Sequence, residues 1–170
     1  MLRNKTNIYV IDTSSLIDAR KWYKRIENFW KFLEELILHK RLLISEAVKL
    51  EIDKGNDFLK VWINNYKKYV VPINESQQKI IKKINDDFPN YIDVNNFEAD
   101  PYVVSLAIEK QKNRIDPDNT EIIVICEESK NEKSKINSGE LKPKIPNLCE
   151  KYELKYIKIY QLLEYENKTI

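Results

Sequence analysis

The sequence predicts an α/β domain with a mostly parallel sheet and helices on both faces. Two observations carry this expectation. Residues 8–11 (Ile-Tyr-Val-Ile) and 122–126 (Ile-Ile-Val-Ile-Cys) are short β-branched runs bounded by polar residues, which is the pattern of strands buried on both sides. Between and after them lie long stretches whose apolar residues recur every three or four positions, so helices alternate with strands.

Each element follows from its local pattern. After residues 8–11, the segment Asp12-Thr13-Ser14-Ser15 leaves the strand. Trp22, Ile26, Phe29, Trp30, Leu33, Leu36 and Ile37 form one apolar stripe, predicting a long amphipathic helix from Trp22 onward. Residues 42–44 (Leu-Leu-Ile) read as a brief strand. Ser45 is the expected N-cap of a helix in which Val48, Glu51 and Ile52 share a face, with Gly55 past its end. Phe58, Val61, Trp62, Tyr66 and Tyr69 continue at helical spacing until Pro72 blocks further helix. A helix from Ser76 carries Ile80, Ile81, Ile84 and Phe88 and stops at Pro89. Asp100-Pro101 is a good helix start, and Val103, Val104, Leu106, Ala107 and Ile108 make that helix apolar on most sides, hence a core helix. The turn at residues 116–119 leads into the strand at 122–126, and Glu127-Glu128 end it. Residues 130–144 gather five lysines with Ser, Asn and Gly and read as an exposed loop. A short helix after Pro146, a last strand at residues 156–159 and a terminal turn at Leu162-Leu163 complete the chain.

At 170 residues and 42% hydrophobic, residues 1–170 suit one domain with a real core. Twenty-nine Lys+Arg against 27 Asp+Glu leave a formal charge of +2, too small to argue for nucleic-acid binding by bulk electrostatics. The two cysteines, Cys126 and Cys149, form no C-x-x-C pair, and His39 is the sole histidine, so zinc-site spacing is missing and a reducing cytoplasm is the simplest home. The run at 8–11 meets Asp12 at once and is too short for a signal peptide; no apolar stretch approaches the ~20 residues of a membrane span. A soluble protein with no membrane partner is the expectation.

The informative residues are acids at the ends of apolar elements. Asp12 follows the first strand, Glu51 lies on an apolar helix seam, Asp100 begins the core helix and Glu127-Glu128 follow the second long strand. Taken singly, each has a plain structural reading. Asp12 can bond backbone N–H groups of a strand-to-helix turn, Asp100 can cap its helix, Glu51 can point to solvent from the rim, and Glu127 and Glu128 can sit solvated at a strand end. Taken together they suggest a shared site, because buried carboxylates are costly unless paired or bound to a cation. In open parallel sheets such sites form beyond the carboxyl ends of the strands. Magnesium and manganese take oxygen ligands and keep several waters, so three or four carboxylates and a hydroxyl suit them, and such a centre serves phosphodiester hydrolysis.

These residues carry a resemblance. The run Ile11-Asp12-Thr13-Ser14-Ser15-Leu16-Ile17, the Glu51 helix, Ala99-Asp100 with Val104 and Ala107 following, and the strand end at Cys126-Glu127-Glu128 resemble the PIN-domain nucleases over about residues 7 to 160. The resemblance implies a PIN-like three-layer α/β fold and a ribonuclease dependent on Mg²⁺ or Mn²⁺ that hydrolyses phosphodiester bonds of single-stranded RNA, often the toxin of a toxin–antitoxin pair. By it, Asp12, Glu51 and Asp100 match the three main metal-binding acids, and Ser14 or Ser15 the small hydroxyl residue supporting the first. The family commonly has Thr-x-Asp after its later strand; here Cys126-Glu127-Glu128 stands there, and Glu128 is the better match for the fourth catalytic and metal-binding acid. The Trp-rich first helix and the segment at 144–149 point to a divergent subgroup.

Rival readings are weaker or of another class. A phosphoryl-transfer aspartate of the haloacid dehalogenase type wants a second Asp where Ser14 stands, and neither Gly55 nor Gly139, the two glycines, follows a strand as a phosphate-cradling loop needs. The alternative from a different class is a catalytically weak PIN-like module for RNA binding or protein interaction, using tyrosines and tryptophans as stacking platforms and Lys130, Lys133, Lys135, Lys142 and Lys144 to follow a phosphate backbone. Trp22, Trp30 and Trp62 would in that case, or in a toxin, offer a face for a homodimer or a protein antitoxin.

Overall fold

The computed structural model describes residues 5–55, 57–89, 91–93 and 95–170. Four strands, β1 (Thr6–Ile11), β2 (Leu42–Leu43), β3 (Thr120–Ile125) and β4 (Lys155–Ile157), form one sheet in the order β2-β1-β3-β4. Every pairing is parallel. Tyr9, Val10 and Ile11 in β1 and residues 122–125 in β3 are all buried at consecutive positions. Successive side chains of a strand point to opposite faces, so burial without alternation means that both faces are covered. The chain therefore has the three-layer α/β architecture expected from its sequence, and its sheet is parallel throughout.

β1 and β3 pair over their full length, Thr6 opposite Thr120 through Ile11 opposite Ile125. The ladder continues one step further: the Asp12 N–H donates to the Ile125 carbonyl at 2.9 Å and the Cys126 N–H to the Ile157 carbonyl at 3.0 Å. The acids after both strands thus start from the same edge.

Helix α1 (Thr13–Tyr23) begins directly after Asp12, and α2 (Glu27–Leu38) comes after a break at residues 24–26. The continuous stripe expected from Trp22 is therefore divided. The Tyr23 carbonyl accepts from the Trp30 indole at 3.0 Å, and the Tyr23 ring stacks on Phe29 with centroids 4.2 Å apart, folding the end of α1 against the start of α2. Phe29, Trp30, Phe32, Leu33, Leu36 and Ile37 are buried as the α2 part of the stripe requires, whereas Trp22 and Ile26 are exposed.

Ser45 caps α3 (Glu46–Asp53), accepting from the Ala47 N–H at 3.2 Å. The next apolar pattern forms α4 (Asp57–Asn65) and then a 3-10 turn at Lys67–Tyr69, with Trp62 buried against Trp30. Helix α5 (Glu75–Asp87) starts one residue before the expected Ser76 because Asn74, accepting from the Gln77 N–H at 2.9 Å, supplies its cap. Helix α6 (Asp100–Lys112) crosses the sheet against β1 and β3 and is buried on most sides, as its composition demands. The stretch 130–144 is mostly exposed but not wholly loop. It contains a short helix, α7 (Lys133–Asn137), which Gly139 ends at φ +78°, a left-handed conformation open to glycine at little cost. Asn131 and Asn147 exchange two bonds of 2.9 Å, tying this segment to α8 (Ile145–Lys151). The last strand is β4, two residues shorter at its end than expected, and Leu162-Leu163 lie in a closing helix, α9 (Gln161–Tyr165).

No helix among the described residues is long and apolar enough to cross a membrane. Cys126 and Cys149 are both buried free thiols.

Leu33 is fully buried, so Leu33→Ala should lower stability by about 2–5 kcal/mol, and removing the cap with Ser45→Ala by about 1 kcal/mol. Urea unfolding followed by circular dichroism measures both. A midpoint unchanged in Leu33→Ala would contradict the packing described.

Candidate functional site

Asp12 ends β1 and is 3% exposed, so its carboxylate must find partners in the protein. It caps α1: Oδ1 accepts from the Thr13 N–H at 2.7 Å, and Oδ2 from the Ser14 N–H at 3.3 Å and the Ser14 hydroxyl at 2.5 Å. The turn reading of Asp12 is therefore realised, and Ser14 is the hydroxyl that supports it. Ser15 is turned elsewhere; its hydroxyl donates to Glu127 at 3.2 Å.

Glu51 reaches the same place from α3. Its Oε2 accepts from the Thr13 hydroxyl at 2.5 Å and its Oε1 from the Ala99 N–H at 2.8 Å. One carboxylate thereby links the residue after Asp12 to the residue before Asp100. Thr13 was not singled out from the sequence, although its place beside Asp12 offered the hint.

Asp100 is the first residue of α6, not its cap. Ala99 takes the cap position and no side-chain capping bond is made there. The Asp100 carboxyl is thus free of the structural duty that an Asp before Pro commonly performs. Burial pushes it up to about 8, and the charges of Asp12, Glu128 and Glu51, in that order, add to the shift. Asp12 is pushed up to about 6 by burial, opposed by its Ser14 and Thr13 bonds and reinforced by the charge of Glu128. The four acids Asp12, Glu51, Asp100 and Glu128 therefore share one electrostatic neighbourhood at the carboxyl edge of the sheet.

The two glutamates after β3 diverge, as neighbours at a strand end do. Glu127 works as a clamp, its Oε1 accepting from the Ile159 N–H at 2.8 Å as well as from Ser15. Glu128 faces the acids and is held by the Lys144 ammonium at 3.0 Å and the Ile145 N–H at 3.2 Å. Lys158 fixes the backbone beneath both, donating to the carbonyls of Glu127 and Glu128. Lys144 is a site residue that composition concealed, because it lies among five lysines of a stretch that looks solvated.

The donor set is carboxylates and hydroxyls, with no histidine and no accessible thiol, which matches hard cations such as Mg²⁺ or Mn²⁺. Among the described residues, no three acids, cysteines or histidines stand grouped ready to hold a metal. The hydrogen bonds give the reason: carboxylate oxygens point at Thr13, Ser14, Lys144 and backbone N–H groups. Asp12, Glu51, Asp100 and Glu128 would hold a cation only by exchanging some of these partners for it.

A family profile described as Domain of unknown function (DUF4411) matches residues 9–170, which takes in all of these acids. The chain belongs to this family. No curated protein matches the sequence.

Because both folded-state carboxyls lie above their ordinary value near 3.8, the folded protein holds these protons more tightly than the unfolded chain. The stability this gives is complete below about pH 4 and is lost as pH rises through about 6 and then about 8. Without divalent metal, the melting temperature of the wild type should therefore fall relative to Asp100→Asn across that interval, and added Mn²⁺ should restore it in the wild type. Parallel pH profiles for the two proteins would show that Asp100 is not held in this field.

Proposed function

We propose that the protein is a divalent-metal-dependent endoribonuclease, PIN-like in its chemistry, that hydrolyses phosphodiester bonds of single-stranded RNA. The observation that carries this reading is the Asp100 carboxyl, freed from capping and held far above its ordinary value by burial and by the charges of Asp12, Glu128 and Glu51. Folding acids against one another costs stability, and groups kept in that condition at the edge of a parallel sheet mark functional sites.

Asp12, Glu51, Asp100 and Glu128 would hold Mg²⁺ or Mn²⁺, and the ion when bound supplies activation of water and neutralises charge developing on the phosphoryl group. The chain's own contribution is orientation. Ser14 fixes the Asp12 carboxylate, while Thr13 and the Ala99 N–H fix Glu51 from opposite sides. Lys144 holds Glu128 and brings a positive charge to the rim, where an anionic backbone would arrive. The two buried free thiols fit a reducing cytoplasm. A ribonuclease there needs restraint, and the resemblance to toxin-type nucleases supports a cognate antitoxin covering the acids; exposed Trp22 is a residue for such a contact or for a homodimer.

One feature favours the second reading, a catalytically weak module for RNA or protein binding: Lys144 already neutralises Glu128. Metal-dependent cleavage separates the two. Labelled single-stranded RNA should be cut with Mn²⁺ or Mg²⁺ and left intact with EDTA. Asp12→Asn and Asp100→Asn should each lose at least about 10²-fold in rate while remaining folded, since disturbing mere outer-shell partners of a metal costs up to that much. Glu128→Gln should lose activity, whereas Glu127→Gln, which breaks the Ser15 and Ile159 clamp, should lose stability first. Inducing the wild type alone in a bacterial cell should slow growth and Asp12→Asn should not. RNA left whole by the wild type under every metal, or cut equally in EDTA, would overturn the nuclease reading.

A further inference from the structure

Tyr91 is 3% exposed, yet its hydroxyl has no hydrogen-bond partner among the described residues. Buried phenols nearly always bond something. Asp53 and Gln77 also have an unpartnered buried oxygen, but each keeps another polar atom in use: Asp53 accepts from Lys49, and the Gln77 amide donates to Glu109. Tyr91 has one polar side-chain atom, and it is spare.

The ring is not loosely placed. The Tyr91 N–H donates to the Phe88 carbonyl at 3.0 Å, and the following Ile92 N–H donates to Asn85 Oδ1 at 3.4 Å. Tyr91 lines a cleft of about 590 Å³ whose opposite wall is the segment Leu141, Lys142 and Pro143. That wall is anchored too, since the Lys142 carbonyl accepts from the Asn131 amide at 2.7 Å. Its next residue but one is Lys144, already on Glu128. Of the cleft's acids, Asp87 accepts from the Tyr152 hydroxyl at 2.7 Å and Glu140 is exposed.

Four carboxylates act on the phenol: Asp100 most strongly, then Glu128, Glu98 and Asp12. Their field and the burial keep it protonated, so the hydroxyl is a donor. No carboxylate accepts from it, which leaves the acceptor outside the chain. Tyr91 and Lys142 offer donors across one cleft leading to the acids, and the acceptor that two such donors fit is an anionic oxygen.

We propose that the Tyr91 hydroxyl binds substrate, donating a hydrogen bond to a non-bridging phosphate oxygen of single-stranded RNA lying in the cleft between Tyr91 and Lys142. This rests on the nuclease reading for its substrate, but the phosphate contact can be tested apart from cleavage. Tyr91→Phe keeps the ring and removes only the hydroxyl. It should leave the melting temperature unchanged, because no bond within the protein is lost, and should reduce kcat/KM for RNA cleavage by about 10- to 100-fold, the cost of one hydrogen bond to a charged group, mainly through KM. A second arm measures the rise in melting temperature caused by inorganic phosphate in the presence of Mn²⁺, expected for the wild type and lost in Tyr91→Phe. Wild-type kcat/KM in Tyr91→Phe, or a lowered melting temperature showing that the hydroxyl serves the fold, overturns the proposal. If the wild type cleaves no RNA, the nuclease reading falls and the phosphate arm decides alone: a shift confined to the wild type sustains Tyr91 as a phosphate donor, and an equal shift or none refutes it.

Discussion

The parallel pairing of β1 with β3 is the constraint on which the remaining structure depends. Six consecutive residue pairs bind these strands, and the residues near their carboxyl ends are buried on both faces. A strand covered on both sides delivers its next residues into a place short of water. On β1 the next residue is Asp12; on β3, Glu127-Glu128 come one position later, after Cys126. Their charge must be met by hydrogen bonds, by protonation or by a cation, and the local structure is organised around that need.

The three answers are divided among the acids. Asp12 and Glu51 are answered by hydroxyls and backbone N–H groups, Glu128 by Lys144, and Asp100 by retention of its proton. This division explains how an acidic edge persists in a stable domain without the acids touching one another as a metal-ready group. Every one of these partners is exchangeable. Hydrogen bonds from hydroxyls and a half-exposed lysine can be traded for a divalent ion at modest cost, because such an ion offers each carboxylate a stronger partner than it gives up. Tyr91 fits the same picture from the opposite side, as a donor with no protein acceptor beside acids that already have their donors.

Glu51 shows how secondary structure far apart in the chain is bound into one site. It lies on α3, yet its two oxygens hold the start of α1 and the start of α6. Since α6 is the buried helix crossing the sheet, displacement of Glu51 would move Asp100 as well. Glu127 performs the matching service on the other side, binding α1 through Ser15 to the segment after β4 through Ile159. Two glutamates thus brace the edge at which the other acids are gathered.

Much of this was legible in the sequence. The strands at β1 and β3 announced themselves by unbroken β-branched runs, α6 by apolar residues on most sides, and Ser45 by its place before an amphipathic turn. Each signal is local, set by solvation and backbone geometry within a few residues. The acids at element ends were legible for the same reason, as charges next to apolar runs. Their partners were decided by the tertiary structure alone. The stripe from Trp22 was divided because Trp30 and Phe29 engage Tyr23, a contact that periodicity does not encode. Asp100 was released from capping because Ala99 took the cap, with its N–H held by Glu51 from 48 residues away. Lys144 and Tyr91 were invisible as site residues, since nothing near either in sequence distinguishes a lysine in a polar loop or a tyrosine after a proline. Composition and period determine which residues are buried and which elements they form; which charge meets which donor depends on three-dimensional proximity, and only the packed chain sets that.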